Sequence, residues 1–361
     1  MRSRGARLRV ALAAALALTA VAVLSGCSSF FSSSSSSTHL AYVVGGQTDV
    51  SAYRIDNNSG TASSIFTAPF VAGNSPSSIV VHPSNRFLYV ANETDNTISL
   101  FNIDSTTGAL TEVLPRTSAG ISPAFMTMDG AGGFLFVANQ FSNNVLAFQI
   151  GTGGSLTLVS SVSVGSSPSG MVLSSSGTLY VPVPNFSAIY AFNVSAGSLT
   201  AVPNQPFIVT NGVGGIAVDS GAKFLYATNP TTDTVSTFAI QTGGSLGAMP
   251  GLTVATGTTP VAAAINLTGS ALYVANGGSS NVSEFTIDAT TGVLTAFSGA
   301  PTVIAGTNPA FVVVDPGGKF IFVGNTGSMS LTEFSINTGG SLNNLNTVSL
   351  GFVPRSFGVT Q

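Results

Sequence analysis

The sequence predicts an all-β protein: a seven-bladed β-propeller of four-stranded blades, closed by pairing the C-terminal strand with the N-terminal blade. Three observations carry this. One strand-like motif returns along the chain as Leu88-Tyr89-Val90-Ala91-Asn92, Leu135-Phe136-Val137-Ala138-Asn139, Leu225-Tyr226-Ala227-Thr228-Asn229 and Leu272-Tyr273-Val274-Ala275-Asn276, with looser copies at 41–45, 179–183 and 321–325. The units open at Pro76, Pro123, Pro168, Val213, Pro260, Pro309 and Pro354, 45 to 49 residues apart, which is the period of a propeller blade. The two ends are also complementary. Residues 39–73 supply strands b, c and d of a unit but no strand a, and residues 354–360 have the pattern of strand a with nothing after it. Joined, they complete a seventh blade and leave no exposed sheet edge.

The composition fits this architecture. Of the 361 residues 6% are charged and 44% hydrophobic, against about 25% charged in ordinary soluble domains. Gly, Ser, Thr and Asn carry the polar load and suit short strands joined by tight turns. The net charge of −3 hides an asymmetry, because Arg2, Arg4, Arg7 and Arg9 all lie at the head of the chain. The remainder holds six Lys and Arg against thirteen Asp and Glu, a net of −7. A chain of that sign has no electrostatic footprint for a phosphate backbone, so nucleic-acid binding is disfavoured. Cys27 is the single cysteine, which leaves no intramolecular disulfide and no Cys-based zinc site.

Taken in order, residues 1–26 read as an export signal. A basic start precedes an uncharged run of Ala, Leu and Val at 10–23, short for a transmembrane helix and flanked as signal peptides are. Leu24-Ser25-Gly26-Cys27 resembles the bacterial lipobox, so Cys27 is expected to be lipidated and to become the first residue of the mature chain. Residues 27–38 comprise this cysteine and a serine-rich tether. The propeller is expected over 39–361. The implied address is the cell envelope, on its periplasmic or surface side, with the membrane reached through the lipid anchor alone.

The unit at 76–122 shows how each strand is read. Strand a is the apolar run 78–81, followed by a turn at His82-Pro83-Ser84-Asn85. Strand b is 86–91, and a polar loop from Asn92 leads to strand c at 97–103, which alternates as a half-buried strand does. Asp104-Ser105-Thr106-Thr107-Gly108 is a turn that needs Gly for positive φ, and strand d follows at 109–114. The same turn recurs around Gly154, Gly244, Gly292 and Gly340.

In such a fold the b–c loops and the loops from d to the next a gather at one mouth of the central channel. Asn92, Asn139, Asn229, Asn276 and Asn325 begin b–c loops. As a ring of amides they suit a small polar or carbohydrate-like ligand. As single residues they equally suit left-handed turns or ties within their own loops.

The repeat Pro-x-x-hydrophobic-x-x-His-Pro followed by Arg-Phe-Leu-Tyr-Val-Ala-Asn and Ile-Ser-Leu-Phe-x-Ile-Asp-x-x-Thr-Gly resembles the lactonase-type seven-bladed propellers over the whole of 39–361. That family includes bacterial 6-phosphogluconolactonases and many exported proteins. The resemblance implies a lactone hydrolase, which needs a proton-transfer group and a cation for the developing oxyanion. It places these on a Pro-Arg-His start of strand a and an Asn-Glu end of strand b. Here Asn92-Glu93 keeps the second, and Pro354-Arg355-Ser356 keeps the arginine but not the histidine, while Pro76-Ser77-Ser78 keeps neither. Glu93, as base or water-orienting group, and Arg355 are thus the candidate catalytic residues. Arg355 aligns with Ser77, Ala124, Ser169, Gly214, Val261 and Ala310, all small or apolar. It can bind an anionic ligand group or pair with a nearby acid and lock the closing blade. Neither His82, in an a–b turn at the opposite mouth, nor His39, at the end of the tether, is expected to take part. No metal and no cofactor is expected. Three readings follow: a mouth that binds a small polar ligand or an envelope protein with catalysis weak or absent, a lactone hydrolase, or a structural part of an envelope assembly.

Overall fold

The repeated motif forms the most deeply buried strand of each blade. In the computed structural model, which describes residues 38–65, 68–298 and 302–361, Leu88, Tyr89, Val90 and Ala91 are all fully buried. A short apolar run of this kind is what a strand covered on both faces requires. Alternate residues face opposite neighbours. Leu88 and Val90 pack with Leu40, Tyr42 and Val44 of the preceding blade, whereas Tyr89 packs with Leu135 and Val137 of the following one. The same division recurs around the ring, giving one apolar cluster at each junction between blades.

Thr38–Gln361 form one unit of seven antiparallel sheets. Numbered from the first complete one, blades 1 to 6 cover residues 76–118, 123–163, 172–208, 216–255, 260–304 and 309–349. Blade 7 is built from both ends of the chain. Its strand a is Ser356–Val359 and its strand b Thr38–Val44, paired antiparallel with Ala41 opposite Val359 and Val44 opposite Ser356. The expected closure is therefore present. It is extended by Arg355 N–H donating to Val44 O at 2.8 Å and Leu40 N–H to Thr360 Oγ1 at 2.9 Å. The Asn85 amide also exchanges two hydrogen bonds with the Gln361 backbone, tying the last residue to blade 1. The signal segment, Cys27 and the tether as far as Ser37 lie outside the described residues.

In blade 1 the strands run Pro76–Val81, Phe87–Asn92, Thr97–Ile103 and Leu110–Ser118. Strand d is longer than the sequence suggests, because its outer half is polar and carries no apolar alternation to read. It also slips in register against strand c between Ile98 and Leu100. In blades 3, 5 and 7 the outer strand is split, and a second short strand joins strand c.

Two polar devices repeat with the fold. The motif tyrosine donates its hydroxyl to a carbonyl in the c–d turn of the next blade: Tyr42 to Gly108, Tyr89 to Gly154, Tyr180 to Gly244, Tyr226 to Gly292 and Tyr273 to Gly340, at 2.5 to 3.3 Å. Gly292, with φ of +71°, shows why that turn needs glycine, since a Cβ there would lie 2.5 Å from the Phe224 ring. The second device sits at the a–b turns. Asp129, Asp219, Asn266 and Asp315 each accept backbone N–H bonds from residues four or five further on. His82 stands at the same turn of blade 1. Its Nδ1 lies 2.7 Å from Ser84 Oγ and its Nε2 3.0 Å from Gly132 O. His39 lies within strand b of blade 7 rather than on a free tether.

Candidate functional site at the channel mouth

The blade repeat delivers equivalent residues to one rim. After four of the motif strands, the next backbone N–H bonds to the carbonyl just before the strand-a proline of the same blade. Glu93 bonds to Ser75 O, Gln140 to Ser122 O, Gly277 to Thr259 O and Thr326 to Asn308 O, at 2.8 to 3.0 Å. This fixes the b–c loop against the incoming d–a loop and sets Glu93, Gln140 and Thr326 around the mouth. The residues that follow the strand-a prolines, Ser77, Ala124, Ala310 and Arg355, form the inner wall. Together with Phe125 and Pro354 these residues line a recess of about 280 Å³. Phe125, Ala310 and Arg355 also line the channel beneath it.

Within this recess the structure brings Glu93 and Arg355 together. The guanidinium Nη1 of Arg355 donates to Glu93 Oε2, with the two side chains 44% and 25% exposed. Ser122 Oγ donates to the other carboxylate oxygen, Oε1, at 3.1 Å. Each carboxylate oxygen is therefore held, and the carboxylate faces the recess in one orientation. Arg355 lines the recess, and a guanidinium has five N–H donors, so those beyond the one given to Glu93 can meet a carbonyl, carboxylate or oxyanion. Ser77 makes no such offer, because its hydroxyl donates inward to Pro123 O at 2.6 Å and Ala91 O at 3.2 Å.

The asparagines are placed differently from a ligand-facing ring. Asn92, Asn139, Asn229, Asn276 and Asn325 are all fully buried. Asn92 accepts from Gly73 N–H and donates to Thr97 and Ser99 hydroxyls. Asn325 does the same with Gly306, Ser330 and Thr332. Asn139 and Asn276 donate to Asn144 and Asn281, and Asn229 bonds to Thr234 and Ser236 of its strand c. These amides tie each b–c loop to strand c, the second of the two roles the residue type allows, and none lines the recess. Asp95, close to Glu93 in sequence, turns away from it. It accepts from the backbone and side chain of Asn74 and pairs with Arg116. The Asn74 hydrogen bonds hold its carboxyl below the usual range.

Sequence reasoning missed Ser122, Gln140 and Thr326. Gln140 and Thr326 follow the motif asparagine as Glu93 does, so aligning that position would have found them. Ser122 reaches Glu93 from the neighbouring blade, and no signal within one repeat marks it.

The family model for the lactonase, 7-bladed beta-propeller family matches residues 30–173 and 188–307, more than half of the chain. No curated protein matches it. Among solved structures, a Bacteroides fragilis protein provisionally named a 6-phosphogluconolactonase superposes with a TM-score of 0.79 at 20% identity, covering 91% of this chain and 99% of that one. The periplasmic gluconolactonase of Pseudomonas aeruginosa superposes with a TM-score of 0.75 at 21% identity, covering 90% and 99%. At such identities the likeness is one of fold.

Proposed function

Because the chain belongs to the lactonase family of seven-bladed β-propellers, we propose that it is a lactone hydrolase acting at the channel mouth. The observation that carries this is the Glu93–Arg355 pair, oriented by Ser122 and open to the recess. Lactone opening adds water to an ester carbonyl. Glu93 accepts the proton of the attacking water, and Arg355 donates hydrogen bonds to the oxygen on which negative charge develops. The ring oxygen then leaves and takes that proton from Glu93, giving a hydroxy acid whose carboxyl releases its own proton to solvent and pairs with Arg355 as the carboxylate. The periplasmic gluconolactonase among its structural neighbours makes an aldonolactone a natural reference compound for the assay. Anchoring at the envelope through Cys27, proposed from the basic head, the apolar run and Leu24-Ser25-Gly26-Cys27, would give access to such extracytoplasmic lactones.

A panel of lactones assayed with the full-length protein tests this. Glu93→Gln is expected to lower kcat/KM by about 10²-fold or more, and Arg355→Ala by about 10²- to 10³-fold. Hydrolysis that is unaffected by Glu93→Gln would sink the reading. A second reading, binding of a small polar or carbohydrate-like ligand or an envelope protein without turnover, is favoured by one observation. Among the described residues no histidine lines the recess.

A further inference from the structure

Glu93 also borders a second recess, which Arg355 does not line. It measures about 470 Å³ and is lined by Ser75, Thr94, Asn96, Ile121, Ser122 and Phe141 besides Glu93. Two of these side chains are large, apolar and open to solvent: Phe141 is 75% exposed and Ile121 55%. They form a fixed ledge, because Phe141 N–H donates to Ile121 O at 3.2 Å and Ser122 N–H to Asn96 Oδ1 at 2.8 Å. The chain splits its side chains between the two recesses, with Gln140 lining the inner one and its neighbour Phe141 the outer.

The repeat shows how unusual this ledge is. The position of Phe141 holds Gln47, Thr94, Asn185, Thr231, Gly278 and Gly327 in the other six blades, and that of Ile121 holds Asn74, Ser166, Asn211, Thr258, Thr307 and, in blade 7, Phe352. Both positions turn apolar together only in the blade that faces Glu93. Exposed apolar side chains that adjoin a polar site mark places where a ligand covers them. The charge is equally informative. Glu93 and Arg355 neutralise each other, and no other ionisable side chain among the described residues lines either recess. Nothing in the site balances the double charge of a phosphate ester.

Resting on the lactonase reading of the mouth, we propose that the substrates are uncharged lactones bearing an alkyl or aryl substituent. The ring carbonyl lies against the Glu93–Arg355 pair in the inner recess, and the substituent lies on the Ile121–Phe141 ledge. Each methylene covered contributes up to about fourfold in affinity.

The test compares δ-valerolactone with its 6-pentyl derivative as substrates of the full-length protein. In parallel, calorimetry follows binding of the matching non-hydrolysable lactams, 2-piperidone and 6-pentyl-2-piperidone. The pentyl group is expected to raise kcat/KM and lactam affinity by about tenfold or more. Phe141→Ala and the double variant Ile121→Ser/Phe141→Ala should bring both ratios toward one. Ile304→Ser, at an exposed apolar residue of blade 5, should leave them unchanged. Hydrolysis of both lactones without a pentyl preference, or a preference that survives the double variant, overturns the ledge and leaves the hydrolase standing. Pentyl-dependent lactam binding lost in Phe141→Ala, with no lactone hydrolysed, keeps the ledge and removes the hydrolase.

Discussion

Tyr89 places one hydroxyl 2.7 Å from the Gly154 carbonyl of the next blade, and this single contact explains why the motif prefers tyrosine over phenylalanine. The ring fills the junction and the hydroxyl satisfies a turn carbonyl that would otherwise be buried beside it. Burial also pushes the phenol well above its ordinary range, so it remains a donor at any physiological pH. Tyr89→Phe is expected to cost about 1 kcal/mol, read from urea unfolding. The converse change is more telling. Phe322 occupies the tyrosine position of blade 6, and the blade 7 turn ending at Gly60 has the same Asp-x-x-x-Gly form as that ending at Gly108. Phe322→Tyr should therefore gain up to about 1 kcal/mol by donating to the Gly60 carbonyl, and a loss of stability would show that the two turns differ. At this scale the sequence was only partly legible. The apolar half of the motif announced its burial through periodicity. Its asparagine did not announce its partners, because an amide that binds a ligand and one that ties a loop look alike until Thr97 and Ser99 are seen within reach.

Strands show a similar division. The inner strands a, b and c are recognisable because each is covered by neighbouring blades and must be apolar or alternating. Strand d lies at the rim, as in Leu342–Ser349, where polar residues dominate and most side chains are exposed, so its length and splitting follow packing rather than pattern. Strand c of blades 5 and 6 breaks the rule in another way. Glu284 and Glu333 stand at matching positions, 1% exposed, and accept backbone N–H bonds from the next blade, Leu342 at 2.7 Å and Ala62 at 3.0 Å. Burial pushes both carboxyls up to about 7 from 4.5. Between those values the folded chain holds protons that the unfolded chain releases, so the sign is opposite to that of a salt-bridged carboxylate. The stabilisation is full below pH 4.5 and falls away as pH rises to about 7. At about 1.4 kcal/mol per pKa unit the two groups together account for a loss of a few kcal/mol. Urea midpoints at pH 5 and 7.5 should show it, and Glu284→Gln with Glu333→Gln should flatten the dependence. A midpoint that rises over this interval would contradict the assignment. Asp56, Asp104 and Asp288, held below their ordinary 3.8 by backbone N–H bonds in the c–d turns, are ionised throughout this window and do not obscure it.

The whole ring depends on one four-residue strand. Ser356–Val359 supplies the inner strand of blade 7, its Ser356 hydroxyl accepts from Ile79 N–H of blade 1, and Phe357 stacks on Phe322 of blade 6 with ring centroids 4.8 Å apart. Deleting residues 354–361 is expected to expose the edge of Thr38–Val44 and to replace one cooperative unfolding transition with a broad one, accompanied by self-association. Calorimetry and light scattering would read both, and an unaltered sharp transition would show that the ring does not need this strand. Closure was legible because the blade count failed at each end by complementary amounts. The pairing of Glu93 with Arg355 was less so, since a cation near the mouth has many acids to choose from until distances are known. Those two residues are 262 positions apart, and this separation has a temporal meaning. A ribosome delivers Glu93 well before Arg355, so a growing chain carries the acid without its counter-ion for some 262 residues of synthesis. The Glu93–Arg355 pair can form only after Ser356–Val359 has joined Thr38–Val44 in blade 7.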